Sequence, residues 1–148
     1  MFRKIIVICT GNICRSPMAE ILMKAKLQHY GMDICSAGIG ALEGFAADPL
    51  ASAVMLAHGH DLSNHRARQA TQPMLAQMDL ILTLDQTHNN WIANRFPELQ
   101  GRTYKLGRWQ GNADVADPYR KPKAAFDQAF VEIQAYSDQW ISRIAKAV

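Results

Sequence analysis

Residues 5–8 form an uninterrupted run of β-branched side chains, Ile-Ile-Val-Ile, close to the start of the chain. A strand that does not alternate between apolar and polar positions is buried on both faces, and such strands belong to parallel sheets. Parallel neighbours need crossover connections, which are usually helices. The run therefore predicts an α/β protein whose sheet is covered by helices on both sides.

Later segments alternate in the way that such a sheet requires. Short apolar runs predict three more strands, at 34–37, 79–84 and 103–106, the second strand being broken by Gly38 and Gly40. Helical spacing and helix-ending residues predict the helices between and after them, at 17–30, 50–58, 71–77, 86–95 and 122–146. In sheets of this kind ligands bind beyond the carboxyl ends of the strands.

The length, charge and cysteine content of the chain indicate how many domains to expect, which partners to exclude and which compartment to expect. The 148 residues are 49% apolar, which predicts one domain over residues 1–148 with a substantial core. The net charge is only +3 and is spread along the chain, so no nucleic-acid partner is expected. The first apolar run is too short to insert into a membrane, and three irregularly spaced cysteines indicate a reducing compartment. We therefore expect a cytoplasmic monomer.

The first predicted strand ends in the segment Cys-Thr-Gly-Asn-Ile-Cys-Arg-Ser-Pro, at 9–17. Pro17 suits a first helical turn, and a helix N-terminus with its free amides attracts anions. Arg15 adds a planar fork that grips two oxygens at once. Gly11 and Asn12 tolerate the backbone angles of a tight loop. The segment predicts a phosphate-binding loop.

The same donors stabilise a thiolate, so Cys9 is the expected nucleophile and forms a phospho-cysteine intermediate. Arg15 would stabilise the equatorial oxygens of the transferred phosphoryl group, and Ser16 could donate a hydrogen bond to the sulfur. The alkoxide or phenoxide that leaves the phosphorus needs a proton. Asp117 is the best candidate for this acid, with Asp114 as an alternative that spacing does not exclude.

No metal and no cofactor are expected. Cys9 and Cys14 lack a second pair at the spacing of zinc ligands. His58, His60 and His65 are interpreted as surface or supporting residues. The loop also lacks the Gly-Lys-Ser/Thr ending of an ATP-type phosphate loop.

Four segments occur in the order seen in low-molecular-weight protein-tyrosine phosphatases, at 9–17, 36–38, 65–69 and 117–119. On these segments the chain resembles that family over nearly its whole length. The short 38–49 loop and the ending Asp-Pro-Tyr-Arg resemble the bacterial branch, which acts with tyrosine autokinases that control capsule and exopolysaccharide export. The resemblance implies a flavodoxin-like, doubly wound sheet of four parallel strands and hydrolysis of phosphotyrosine in proteins.

The resemblance also implies residue roles: Cys9 as nucleophile, Arg15 as phosphate clamp, and Asp117 as general acid and later base. Asn12 would hold the loop in shape, supported by Ser36 and His65. The loop residues expected around the substrate are Thr10, Gly11, Asn12, Ile13, Cys14 and Ser16.

Two further residues are implied to form the walls of the cleft. Tyr119 would pack against the substrate ring, and Leu42 stands where many eukaryotic members present an aromatic residue. An aliphatic wall still buries an aryl ring but stacks less well. Cys14 matches the family's second loop cysteine, which forms a reversible disulfide with the nucleophile.

Two other functions compete with phosphotyrosine hydrolysis. A thiol-dependent arsenate reductase uses a related fold and loop, but it needs further cysteines to relay a disulfide, and only Cys35 remains. A non-catalytic phosphate-binding module would be favoured if Cys9 or Asp117 were absent, and both are present. We therefore expect a phosphatase whose partner is a phosphotyrosine protein, namely a bacterial tyrosine autokinase.

Overall fold

The computed structural model describes residues 2–148 and contains a four-stranded parallel sheet in the order β2-β1-β3-β4. The strands are β1 (Lys4–Cys9), β2 (Asp33–Gly38), β3 (Leu80–Thr83) and β4 (Thr103–Lys105). This strand order is flavodoxin-like and confirms the fold class expected from the sequence. The β-branched run lies in β1, a central strand, and its side chains are fully buried.

In the described part of the chain, five α-helices cover the two faces of the sheet: α1 (Arg15–Leu27), α2 (Pro49–Ala57), α3 (Gln72–Ala76), α4 (Gln86–Arg95) and α5 (Lys123–Lys146). Ile5 and Val7 of β1 point into the core formed with α1, α2 and α5, whereas Ile6 and Ile8 point into the core formed with α3 and α4. Alternate residues of one strand therefore hold both layers of helices. No helix within residues 2–148 has the length and apolar character needed to cross a membrane.

Several predicted boundaries differ from the structure. Helix α1 begins at Arg15, two residues earlier than expected, because a proline without an N–H is tolerated anywhere in the first turn. The last predicted turn of α1 is a 3₁₀ segment at Gln28–Tyr30, and a second 3₁₀ segment at Pro97–Arg102 was not predicted. Gly38 does not break β2, since it pairs with Cys9 at the end of the ladder.

The loops that follow the strands meet at the carboxyl edge of the sheet. The chain after β2 runs beside the loop after β1: Ile39 N–H donates to Cys9 O, and Gly40 N–H donates to Thr10 O, each at 3.0 Å. The segment before α5 is attached to the end of β3, because Val115 N–H donates to Leu84 O at 2.8 Å. Three connections are thereby held against one another at one edge.

Gly38 marks the tightest of these approaches. A Cβ atom built on Gly38 would lie 2.3 Å from the carbonyl oxygen of Thr10, a distance that side-chain carbons do not adopt. The backbone of β2 can therefore lie this close to the loop after β1 only because position 38 has no side chain.

We expect Gly38→Ala to lower the free energy of unfolding by about 1–3 kcal/mol, because the methyl group would push the two backbones apart. Gly40→Ala is the matched control, since a Cβ at Gly40 meets no atom within 4 Å. Its effect should stay within about 0.5 kcal/mol. Urea unfolding of both variants measures the difference, and equal stability would contradict the steric argument.

Candidate active site

A cleft of about 220 Å³ opens at the carboxyl end of β1. It is built by the loop after β1, the chain after β2 and the segment before α5. Its lining residues are Cys9, Thr10, Gly11, Ile13, Cys14, Arg15, Gly40, Leu42, Asp117, Tyr119 and Arg120. Four other residues singled out in the sequence do not line the cleft but form hydrogen bonds that hold the loop in shape: Asn12 and Ser16 within the loop, and Ser36 and His65 behind it.

The thiol of Cys9 is buried in this loop and has one close polar neighbour. Its Sγ lies 2.8 Å from Ser16 Oγ, and Ser16 Oγ accepts a hydrogen bond from Asn12 Nδ2 at 2.8 Å. An amide NH₂ group only donates, so the proton of the Ser16 hydroxyl is left for the sulfur. Ser16 therefore donates a hydrogen bond to the Cys9 sulfur.

Asn12 keeps the loop in its observed conformation. Its φ of 59° lies in the left-handed region, which asparagine tolerates better than most residues. Asn12 Nδ2 also donates to Ser36 Oγ at 2.9 Å, and Asn12 Oδ1 accepts from the backbone N–H of Arg68 at 3.0 Å. His65 Nε2 donates to Asn12 O at 2.6 Å. The loop is therefore shaped before any ligand arrives.

Arg15 is charged, yet only 1% of its surface is exposed. Its Nη1 donates to Asp85 Oδ2 and to Val115 O, both at 2.7 Å. Burial is the largest single effect on Asp85 and disfavours its charged form. The hydrogen bond from Arg15, together with smaller contributions from His88, the Arg15 charge and the N–H of Thr87, outweighs burial and holds the pKa of that carboxyl below its ordinary value. Such pairing is what makes a buried guanidinium tolerable.

The other end of the guanidinium faces the cleft. Arg15 Nη2 lies 3.5 Å from Thr10 Oγ1 and 3.6 Å from Asp117 Oδ2. One nitrogen of Arg15 is thus held by the protein, while the second is close to the groups that line the cavity. A planar fork fixed in this way suits two oxygens of a phosphate.

The ring of His88 is fully buried behind Thr10. Its Nδ1 accepts from the backbone N–H groups of Leu84 and Asp85, at 3.3 and 3.2 Å, so the ring proton lies on Nε2. Nε2 then donates to Thr10 Oγ1 at 3.0 Å. Burial lowers the pKa of His88 to about 4, although the carboxylate of Asp85 opposes the shift.

Of the two acids that the spacing left open, the structure brings Asp117 to the cleft. Asp117 Oδ1 accepts from the backbone N–H of Tyr119 at 3.1 Å, and the exposed carboxyl lines the cavity. Asp114 forms a salt bridge to Lys105 at 2.8 Å and is not among the residues of this cleft. Asp117 is therefore the carboxyl group that lies at its rim.

Leu42 and Tyr119 line the cleft, Leu42 half-buried and Tyr119 37% exposed.

Cys14 is buried nearby, and burial raises the pKa of its thiol well above the ordinary value. Cys9, Cys14 and Cys35 are all free thiols. Within residues 2–148, no group of three His, Cys, Asp or Glu side chains is arranged to hold a metal ion.

A buried thiol beside a paired arginine, with a carboxyl group at the rim, is the arrangement of a cysteine-dependent phosphoric monoester hydrolase. Comparison with protein families agrees with this class. The family described as low molecular weight phosphotyrosine protein phosphatase matches residues 4–148. The chain belongs to this family of protein-tyrosine phosphatases.

Individual relatives are bacterial and similar along almost their whole length. The chain is 46% identical over 144 residues to a probable low molecular weight protein-tyrosine-phosphatase, EpsP, of Ralstonia nicotianae, covering 97% of both chains. It superposes on the tyrosine phosphatase Wzb of Escherichia coli K30 in complex with sulphate with a TM-score of 0.93, at 38% identity, covering 97% and 99% of the two chains. Wzb of Vibrio vulnificus in complex with benzylphosphonate gives a TM-score of 0.92 at 36% identity, again over 97% and 99%.

Three residues at the site were not singled out from the sequence. Asp85 and His88 follow β3, so the rule that ligands gather at the carboxyl ends of strands could have indicated them. Arg68 lies in the segment 65–69, but no role was assigned to it from the sequence. Its Nε donates to Ser36 O at 3.0 Å, and its backbone N–H donates to Asn12 Oδ1. Apart from the family resemblance of that segment, no local sequence signal marks the long-range contact.

The low pKa of His88 predicts how stability depends on pH. The unfolded chain binds a proton to this ring near pH 6.5, whereas the folded protein resists protonation down to about pH 4. Stability from the neutral ring is therefore complete above pH 6.5 and decreases as the pH falls towards 4, by up to about 3 kcal/mol.

His88→Asn should flatten this part of the pH dependence, whatever its stability at pH 7. The exposed His29→Asn is the control and should keep the wild-type slope. Urea unfolding at several pH values between 4 and 7.5 gives the slopes. An unchanged slope in His88→Asn would show that another group is responsible.

Proposed function

We propose that this phosphatase hydrolyses phosphotyrosine in proteins through a phospho-cysteine intermediate. The observation that carries the proposal is the placement of Cys9, Arg15 and Asp117 in one cleft, with the Cys9 sulfur hydrogen-bonded to Ser16. The complex of the Vibrio relative with benzylphosphonate, a phosphonate attached to an aryl-bearing group, supports a ligand of this chemistry.

In the first step, the thiolate of Cys9 attacks the phosphorus of the bound phosphotyrosine. An S–P bond forms and the P–O bond to the tyrosine ring breaks. Arg15 Nη2 and the loop amides neutralise the charge on the remaining phosphoryl oxygens. Asp117 donates its carboxyl proton to the departing tyrosine oxygen, whose pKa of about 10 makes an unassisted departure slow.

In the second step, water attacks the phosphorus of the phospho-cysteine. The carboxylate of Asp117 takes one proton from that water, so the residue that was the acid now serves as the base. The S–P bond breaks, inorganic phosphate leaves, and the thiolate returns to its hydrogen bond with Ser16. Leu42 and Tyr119 would hold the substrate ring between them in both steps.

We further propose that the physiological substrate is a bacterial tyrosine autokinase that controls capsule or exopolysaccharide production in the cytoplasm. The support is membership of the family together with bacterial relatives such as EpsP, at 46% identity. An arsenate reductase is disfavoured because Cys35, the thiol needed as a relay, lies on β2 and does not line the cleft.

We predict that Cys9→Ser lowers kcat for p-nitrophenyl phosphate by at least about 10³-fold, because a serine hydroxyl in this loop is a far weaker nucleophile. Binding of benzylphosphonate, followed by calorimetry, should persist because the loop donors remain. Cys35→Ser is the control outside the cleft and should retain activity. Substantial turnover by Cys9→Ser would remove the covalent step.

We predict that Asp117→Asn lowers kcat/KM for phenyl phosphate by about 10²-fold or more, since the poor leaving group depends on a proton donor. The loss should be far smaller for p-nitrophenyl phosphate, whose leaving group needs less assistance. Asp114→Asn removes the same charge outside the cleft and should leave kcat/KM unchanged for both substrates. Equal slowing of both substrates by Asp117→Asn would contradict its role as the acid.

A further inference from the structure

Arg120 lines the cleft beside Tyr119, yet the two chemical steps do not use it. Its guanidinium carbon lies 5.2 Å from the centroid of the Tyr119 ring, so the ring supports the cation from one side. The residue is exposed, and among residues 2–148 it makes no salt bridge. Arg15, in contrast, is already bonded to Asp85 and Val115.

The backbone at Arg120 is unusual for this residue type. Lys121 N–H donates to Pro118 O at 2.9 Å, which closes a tight turn with Arg120 at its third position. Arg120 has a φ of 64°, in the left-handed region where glycine and asparagine are much less costly. Among residues 2–148, the other non-glycine residues with positive φ are both asparagines, Asn12 and Asn112. Strained positions of this kind concentrate at functional sites.

The turn also fixes where the cation lies. Asp117 Oδ1 accepts from Tyr119 N–H, so the acid at the rim, the aromatic wall and Arg120 belong to one hydrogen-bonded unit. The guanidinium is therefore held next to the place where the substrate ring enters. Its donors match a carboxylate or a phosphate, which the planar fork binds through two oxygens.

We propose that Arg120 forms an anion-binding subsite at the rim of the cleft, which selects protein substrates that carry a carboxylate or a second phosphate next to the phosphotyrosine. The proposal rests on the proposed hydrolysis of phosphotyrosine in proteins and adds a preference for acidic sequence around it. The subsite contacts the neighbouring residue of the substrate and takes no part in bond making.

The test uses four phosphotyrosine peptides that differ only in the flanking residues: glutamine, glutamate, a second phosphotyrosine, or lysine. For the wild-type protein we expect kcat/KM to be about threefold higher for the glutamate than for the glutamine peptide, as an exposed charge pair provides. The difference should lie in KM, because the contact is the same in the ground and transition states. An advantage confined to the doubly phosphorylated peptide would assign the subsite to phosphate.

Arg120→Gly removes the guanidinium and suits the left-handed backbone, so the turn keeps its shape. In this variant the glutamate and glutamine peptides should be hydrolysed with equal kcat/KM, and Arg120→Lys should keep part of the preference. Lys121→Gln is the matched control: it removes the same charge one residue further along and outside the cleft, and it should keep the wild-type ratio.

Any of three results would overturn the proposed subsite. The wild-type kcat/KM could be the same for the acidic peptides and the glutamine peptide, or Arg120→Gly could keep the wild-type preference. Alternatively, Lys121→Gln could lose the preference to the same extent as Arg120→Gly, which would indicate long-range charge alone. In each of these cases hydrolysis of the peptides themselves leaves the proposed function standing. A wild-type protein that hydrolyses none of the peptides would instead remove the proposed function, and the subsite with it.

Discussion

The buried guanidinium of Arg15 is the interaction around which this edge of the molecule is organised. Arg15 comes from the start of α1, Asp85 from the N-cap of α4 just after β3, and the carbonyl of Val115 from the segment before α5. A cation in the interior is stable only when its donors are satisfied, so these three segments must meet at one point. Cys9 and Asp117 are then brought into one cleft as neighbours of the segments that hold the cation.

Charge around the cleft is controlled as much by what stays neutral as by what is ionised. Burial raises the pKa of Cys14 and lowers that of His88, so the thiol keeps its proton and the ring does not gain one. A negatively charged Cys14 would repel an anion in the cleft, and a positively charged His88 would be repelled by the guanidinium of Arg15. The neutral ring also directs its Nε2 proton to Thr10. Because the Cys14 thiol and the His88 ring are both neutral, the positive potential in the cleft comes from Arg15 and the loop donors.

The sequence predicted those features that depend on residues close together in the chain, such as strands, helices and the helix cap. The β-branched run marked β1, and helix α4 occupies the predicted residues 86–95, where Asp85 caps its first turn. The residues that support the phosphate loop were harder to predict. Arg68 is 56 residues from its partner Asn12 along the chain, and His88 is 78 residues from its partner Thr10. Gly38 shows a third case: the glycine predicted a break, but its small size allows a close backbone contact at the last residue of β2. Such contacts depend on the assembled fold and leave no periodic signal.

The backbone hydrogen bonds between the two loops above β1 and β2 have a consequence for how this scaffold can diverge. Gly40 and Leu42 are registered on Thr10 and Gly11 almost as an additional strand would be, with Leu42 N–H donating to Gly11 O at 3.1 Å. An insertion or deletion in this stretch would shift Leu42 and the loop after β1 together. Exchange of the side chain at position 42 therefore changes the lining of the cleft and leaves the backbone in place, whereas a change in the length of that connection would break the hydrogen bonds to Thr10 and Gly11.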